Sequence, residues 1–126
     1  MITHFDNRQI ADLEDRKRIA LINSLSGFKS LNLIGTVNQS GQTNLAIFNS
    51  VVHIGANPPL MGFISRPDTV EKHTLENIRE MGYFTINHVN KDIYEKAHQT
   101  SARYPRNQSE FDATGLTPES ANWPYT

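Results

Sequence analysis

The spacing of apolar and polar positions predicts a helix in the first part of the chain. Apolar residues recur at near-helical spacing from Ile10 to Leu25, and Gly27 follows as a stop signal. Asp6 stands three residues before Gln9, which is the spacing of a capping box at a helix start. These signals together predict one N-terminal helix.

Four apolar runs further along the chain have the length and composition of β-strands. Residues 31–38 (LNLIGTVN) and 43–55 (TNLAIFNSVVHIG) flank a polar turn with glycine, and they predict two long antiparallel strands. Residues 60–65 (LMGFIS) follow two prolines and predict a short buried strand. Residues 83–89 (YFTINHV) carry bulky groups on both faces and predict a fourth strand.

Two shorter helices are predicted on either side of the fourth strand. Thr74 is a favourable N-cap residue, an apolar stripe runs from Leu75 to Met81, and Gly82 can adopt the left-handed conformation that ends a helix. Residues 91–102 (KDIYEKAHQTSA) have the pattern of a short amphipathic helix. The remaining tail has no sustained period, so it is predicted to be irregular.

Composition is consistent with one domain that spans residues 1–126. The hydrophobic content is 37%, and 12 basic and 13 acidic residues give a net charge of -1, so nothing indicates a nucleic-acid or anionic-membrane partner. The absence of cysteine excludes a disulfide framework and a thiolate nucleophile. No apolar run approaches the roughly 20 residues of a membrane span, and the charged N-terminus lacks a signal-peptide core. A cytoplasmic protein is therefore expected.

The start of the predicted helix after the third strand has the residue types of a phosphate site. Arg66, Lys72 and His73 place positive charge before it, and Thr74 adds a hydroxyl. A helix N-terminus also carries unpaired N–H donors and roughly half a positive charge. With acidic neighbours nearby, the same residues also fit a solvated surface with weak ion pairs. Composition leaves both interpretations open.

Other chemistries have less support in the sequence. The five histidines show no pair at metal-ligand spacing with a carboxylate on the same element, so no metal site is predicted. No serine lies in a G-x-S-x-G elbow, and nucleophilic catalysis is not predicted. Asn49 and Ser50 interrupt one apolar strand and Asn87 lies in another. Each fits either an outward polar position or bulge, or a ligand contact.

An ordered run of motifs resembles the flavin reductase-like family of the FMN-binding split-barrel superfamily. The segment GTVNQSGQTNLAIFNSVVHIGANPPLMGFISRP is followed by KHTLENIREMGYFTINHV. This order is similar to the family's glycine hairpin, strand with Asn or Ser near its middle, P-P-L strand, R-P pair, basic-x-T-x-x-N-I helix and F-x-x-N strand. The similarity is nearly gapless from about Lys29 to Val89. It implies a mainly β protein with flanking helices, built as an FMN-binding split β-barrel.

The resemblance also implies a cofactor, an electron donor and an assembly. Members of the family bind FMN, usually as homodimers with the flavin near the interface, and many transfer hydride from NADH or NADPH to it. The chemistry then belongs to FMN, so no catalytic side chain is expected. The implied phosphate-binding residues are Arg66, Lys72, His73 and Thr74, with Ser65 beside them; those implied along the isoalloxazine are Asn49, Ser50, Val51, Val52 and Asn87.

Two further classes of function fit the same residues. A non-enzymatic FMN carrier or redox-sensing module would use the same site, and a degenerate split-barrel protein would serve only as an interaction module. No ribose-phosphate motif separates NADH from NADPH, and the electron acceptor leaves no signature.

The end of the chain departs from the family pattern. Members of the family continue for several strands beyond the position of Pro118, whereas this sequence ends at Thr126. The expectation is a single flavin reductase-like domain that lacks its C-terminal strands. Uncovered strand edges would then favour pairing with another chain or aggregation.

Overall fold

The computed structural model describes residues 2–66, 73–105 and 107–119. Within these ranges the chain forms two β-sheets with helices on their flanks, in agreement with the predicted fold class. The helices are α1 (Asn7–Ala11), α2 (Asp15–Ser24), α3 (His73–Met81), α4 (Tyr94–Gln99) and α5 (Glu110–Thr114). The strands are β1 (Asn32–Val37), β2 (Thr43–Phe48), β3 (Val51–Ala56), β4 (Pro59–Phe63) and β5 (Thr85–His88).

The first sheet is antiparallel and has the order β2-β1-β5. Its register pairs Leu33 of β1 with Asn87 of β5, and Ile34 of β1 with Ala46 of β2. Because successive residues of a strand point to opposite faces, Leu33 and Ile34 mark the two faces of this sheet. The two faces are covered in different ways.

Helices α4 and α5 cover the Leu33 face with apolar side chains. Leu33 and Leu45 are each 3% exposed, and Ala97 of α4 is fully buried against them. Partly buried apolar residues complete this cluster: Ile47, Val89, Ile93, Phe111 and Leu116. This is the apolar core of the described chain.

Helix α3 covers the Ile34 face through polar side chains. Asn44 Nδ2 donates a hydrogen bond to Thr74 Oγ1 at 2.9 Å, and Asn77 Nδ2 donates to Thr36 Oγ1 at 3.1 Å. All four residues are buried, and Thr36 and Asn44 are register partners. Two hydrogen bonds therefore hold α3 to a single rung of the sheet.

The second sheet is the two-stranded hairpin β3-β4. The Phe63 ring of β4 lies 4.7 Å from the Phe48 ring and 5.2 Å from the Phe84 ring, both edge to face, and joins the hairpin to the first sheet. The hairpin exposes large apolar side chains, which are Val52, Ile54, Leu60 and Met61. Val52, Ile54 and Leu60 lie on one face of this sheet, whereas Met61 pairs with His53 and lies on the other. We call Val52, Ile54 and Leu60 the hairpin face.

The structure corrects two of the strand predictions. The predicted strand over 43–55 is two strands, because the chain leaves the first sheet after Phe48 and enters the second at Val51. The predicted strand over 60–65 is β4, and it is mostly exposed rather than buried. The reason is its position in a two-stranded sheet, where the described residues place no second layer over the hairpin face.

The predicted N-terminal helix is also two helices. The capping box of Asp6 and Gln9 is confirmed, since each side chain bonds the other residue's backbone N–H. The helix nevertheless breaks after α1. Arg18 Nη1 bonds the carbonyl oxygens of Ala11 and Leu13, at 3.2 and 3.0 Å, and so stabilises carbonyl groups that the break releases.

The predicted irregular tail contains α5. Its N-cap is Ser109, whose hydroxyl accepts a hydrogen bond from the Phe111 N–H, and it ends at Gly115 with φ 69°. Both signals are present in the sequence and indicate a helix of one turn. In the described part of the chain, no helix is long and apolar enough to cross a membrane.

Candidate functional site

The predicted ring-binding residues 49–52 lie where the chain passes from the first sheet to the second. Asn49 is exposed, and Ser50 forms the break between β2 and β3. Ser50 Oγ donates to the Ile64 carbonyl oxygen at 2.7 Å, and the Ile64 N–H donates to the Ser50 carbonyl oxygen at 3.2 Å. These bonds extend the β3-β4 ladder by one pair and fix the backbone of the break.

The same ladder brings Ser65 and Arg66 to this position, because they directly follow β4. Arg66 is exposed, and its Nη2 lies 3.4 Å from Asn23 Oδ1 of α2. The guanidinium offers several fixed donors that match carboxylate or phosphate oxygens. Residues 49–52, 65 and 66 are named the sheet-junction group below.

His73 and Thr74 lie at the opposite end of β2. Thr74 is bonded to Asn44 near the start of β2, and Asn49, the residue after β2, lies about 16 Å from Asn44 along the extended chain. His73 and Thr74 are named the helix group below. The structure therefore places these predicted residues in two groups, one near each end of β2.

Thr74 differs from its predicted role as an N-cap. Helix α3 begins at His73, so Thr74 belongs to the first helical turn. Its side chain is directed to the sheet, with 6% of the residue exposed. The predicted apolar stripe of this helix is only half-buried, and Thr74 and Asn77 are its buried residues, because the sheet offers polar partners at this rung.

Two predicted residues lie outside these groups. Lys72 falls outside the described residues. Asn87 lies on the sheet face that α4 and α5 cover, opposite to α3, where its Nδ2 donates to the Leu33 carbonyl oxygen at 3.2 Å and to Thr85 Oγ1 at 3.1 Å. Asn87 is therefore placed apart from Thr74.

Thr85 is also the register partner of Gly35. A Cβ atom on Gly35 would lie 2.6 Å from Thr85 Oγ1, a distance that real Cβ atoms essentially never show. The glycine thus makes room for the hydroxyl that Asn87 contacts.

A small polar cleft borders the helix group. It lies between the β1-β2 turn, the first turn of α3 and the start of α5, where Glu110 Oε2 accepts a hydrogen bond from the Leu45 N–H at 3.0 Å. Its lining residues are Asn38, Gln42, Thr43, Asn44, His73, Asn77, Gln108 and Glu110.

Asn44, Asn77 and Thr36 were not predicted as site residues. The available signal was weak: Thr36 and Asn44 are polar residues inside apolar strands, and only their pairing with α3 shows that they face inward.

The donors of the helix group fit a phosphate. The first turn of a helix presents unpaired N–H donors and a partial positive charge. Thr74 Oγ1 accepts its hydrogen bond from Asn44, and among the described residues the Thr74 hydroxyl donates to no acceptor. A buried donor of this kind suits an anionic oxygen.

The described ranges contain no group of three His, Asp or Glu side chains that could hold a metal ion.

Comparison with protein families and curated proteins agrees with this fold. Residues 25–125 match the family model described as flavin reductase like domain. An uncharacterized protein of Aquifex aeolicus (strain VF5) is 27% identical over 97 residues, which are 75% of this chain and 50% of the relative.

Two solved structures show the same architecture. One is a provisionally named flavin reductase with a split barrel domain from Shewanella frigidimarina NCIMB 400, with TM-score 0.89 and 61% identity over 95% of this chain and 59% of that chain. The other is the 2-nitrobenzoate 2-nitroreductase of Pseudomonas fluorescens, with TM-score 0.71 and 27% identity over 94% of this chain and 56% of that chain. The fold is the split barrel, and the chain spans little more than half the length of these proteins.

Proposed function

The chain belongs to the flavin reductase-like domain family, and from this premise we propose that it binds FMN and transfers hydride to it from NADH or NADPH. The observation that carries the proposal is the helix group, because a buried hydroxyl with an unused proton stands in the first turn of α3. Its position in the family's basic-x-T-x-x-N-I segment supports a phosphate as the ligand. The name of the nitroreductase neighbour adds support for a reductase.

The two groups of residues bind different parts of the cofactor. The helix group holds the phosphate through the first amides of α3 and the Thr74 hydroxyl, and Arg66 adds its positive charge to the same phosphate. Residues 49–52 of the sheet-junction group border the flavin ring, and the hydrogen-bonded backbone at Ser50 keeps that border rigid.

Arg66 supplies the positive charge of the sheet-junction group. Its Nη2 lies 3.4 Å from Asn23 Oδ1 of α2, and a guanidinium carries several fixed donors that match the oxygens of a phosphate. Bound FMN supplies the redox chemistry, so the protein needs no acid, base or nucleophile of its own for hydride transfer. The residues of this chain bind the cofactor, orient it and keep one face of the ring accessible.

The absorption spectrum of the purified protein tests the proposal. We expect a yellow protein with flavin bands that bleach when NADH or NADPH is added. A protein that stays colourless after soaking with FMN and dialysis contradicts the proposal. If flavin binds but NADH and NADPH are oxidised no faster than without protein, the carrier or redox-sensing function replaces the reductase.

We also propose a homodimer in which the hairpin face is covered by a second copy of the chain. The three side chains of this face are 42% to 62% exposed, and they adjoin the sheet-junction group at Val52. A contiguous exposed apolar patch marks a surface that another molecule covers. Dilution is then expected to release flavin and subunits together. A folded, flavin-bound monomer at micromolar concentration in sedimentation experiments would refute the dimer.

The cytoplasmic location expected from the sequence is part of the same proposal. It agrees with the use of NADH or NADPH as the electron donor, because both are cytoplasmic reductants.

A further inference from the structure

The hydrogen bond between Asn44 and Thr74 determines what the Thr74 hydroxyl can do. A hydroxyl group has one proton to donate and two lone pairs that accept. Asn44 Nδ2 donates to Thr74 Oγ1 at 2.9 Å and occupies an acceptor position. Among the described residues the proton of this hydroxyl has no acceptor, although the residue is only 6% exposed.

A buried donor without an acceptor is unfavourable, so this arrangement needs a second reason. The Asn44 amide cannot accept the proton with the nitrogen that it presents to Thr74. The proton therefore remains available to an acceptor other than the Asn44 nitrogen. An anionic oxygen is the acceptor that this end of a helix attracts.

We propose that Asn44 is a positioning residue for the phosphate of the cofactor. Asn44 presets the Thr74 hydroxyl as a donor before the ligand arrives, so the phosphomonoester of FMN meets an oriented proton and not a rotating one. This inference rests on the proposed function, because the ligand is the FMN phosphate. Asn44 itself need not touch the ligand.

The second hydrogen bond at the same rung, between Asn77 and Thr36, has a different structural role. Asn77 Nδ2 donates to Thr36 Oγ1 at 3.1 Å and holds α3 on the sheet. It does not involve the Thr74 hydroxyl. The pair therefore offers a matched control, since both bonds are buried amide-to-hydroxyl contacts between α3 and the same register pair, Thr36 and Asn44.

The experiment measures the Kd of FMN and of riboflavin for the purified protein and its variants by flavin fluorescence. The ratio of the two constants reports the phosphate contact and cancels general loss of structure. Thr74→Val is expected to lower the preference for FMN about tenfold or more, as for a hydrogen bond to a charged group. Asn44→Leu is expected to lower it about three- to tenfold.

Four further variants separate positioning from other roles. The double variant Asn44→Leu/Thr74→Val is expected to match Thr74→Val alone, because Asn44 acts through Thr74. Thr74→Ser keeps the hydroxyl and is expected to retain the preference. Thr36→Val removes the other bond and is expected to leave the preference unchanged. Asn44→Ala adds no bulk and is measured beside Asn44→Leu in case the latter does not fold.

The outcomes distinguish this inference from the proposed function. If the wild-type protein prefers FMN and Asn44→Leu and Asn44→Ala retain that preference, the positioning role is wrong and the proposed function stands. Losses that multiply in the double variant also overturn it. If Thr36→Val lowers the preference as much as Asn44→Leu does, the effect belongs to helix placement and the inference fails. A wild-type protein that binds no FMN overturns the proposed function and this inference together.

Discussion

The first sheet with α3, α4 and α5 differs from the β3-β4 hairpin in how far its apolar side chains are buried and its polar side chains are hydrogen-bonded. Leu33 of the sheet is 3% exposed, whereas Leu60 of the hairpin is 48% exposed, although both are leucines in strands. The sheet has a helix layer on each face, and its buried polar groups at the α3 rung bond one another. The hairpin contacts the sheet through Phe63 and leaves the hairpin face and Met61 exposed.

This difference indicates that the two ends of the proposed cofactor site are stabilised by different packing. The helix group rests on the region that packs within itself. The sheet-junction group stands at the border of the hairpin, so its stability depends on what covers the hairpin face. Mutations in the two regions are therefore expected to differ in their effects on the free energy of unfolding, on flavin binding and on self-association.

The largest expected effect compares the same chemical change in both regions. Leu33→Ala is expected to lower the free energy of unfolding by about 2 to 5 kcal/mol, because it removes buried methyl groups from a packed core. Leu60→Ala is expected to cost less than about 1 kcal/mol, since much of its side chain is already in water. Urea unfolding measures both. Equal losses would show that the hairpin face is covered in solution, which breaks the comparison and favours the dimer.

The next effect concerns the charge of the sheet-junction group. Arg66→Ala is expected to weaken FMN binding by about 1.5 to 3 kcal/mol and riboflavin binding by much less, because the guanidinium bonds the phosphate. Flavin fluorescence titration gives both constants. Arg8→Ala removes the same charge from α1 and serves as the control. An equal loss for both flavins would assign Arg66 to folding or to the ring instead.

A smaller effect tests the cover of the first sheet. Ser109→Ala removes the N-cap of α5 and is expected to lower the free energy of unfolding by about 1 kcal/mol, whereas Ser109→Gly costs a few tenths. Thermal and urea unfolding of the three proteins measure the difference. If the alanine variant is as stable as the wild-type protein, the Ser109 hydroxyl does not stabilise α5 and the capping assignment is wrong.

The smallest expected effect lies on the hairpin face. Ile54 is 62% exposed, so Ile54→Thr is expected to change the free energy of unfolding of the monomer by no more than about 0.5 kcal/mol. The same substitution is expected to weaken self-association in sedimentation velocity experiments. Unchanged association together with unchanged stability would remove Ile54 from the proposed interface.

Local signals explain what was predictable from the sequence. The capping box at Asp6, the hairpin between β1 and β2 and the extent of α3 up to Gly82 depend on neighbours in the chain, and all three are present in the structure. The one-turn helix α5 also had its signals in Ser109 and Gly115, but a helix this short leaves no period to detect.

Long-range packing explains what was not predictable. The exposure of β4 follows from membership of a two-stranded sheet, which alternation of residue types does not reveal. The candidate residues of the site were chosen from charge and from resemblance. Their division into two groups depends on the course of β2, and the role of Asn44 depends on a partner 30 positions away.

The contact between Gly35 and Thr85 has a consequence for how this protein can change in evolution. A Cβ atom at position 35 and the Thr85 hydroxyl in its present place exclude each other, since they would lie 2.6 Å apart. Asn87 would lose an acceptor if Thr85 rotated away. Positions 35, 85 and 87 are therefore expected to covary among relatives, and an alanine acquired at 35 should be inherited with a smaller residue at 85.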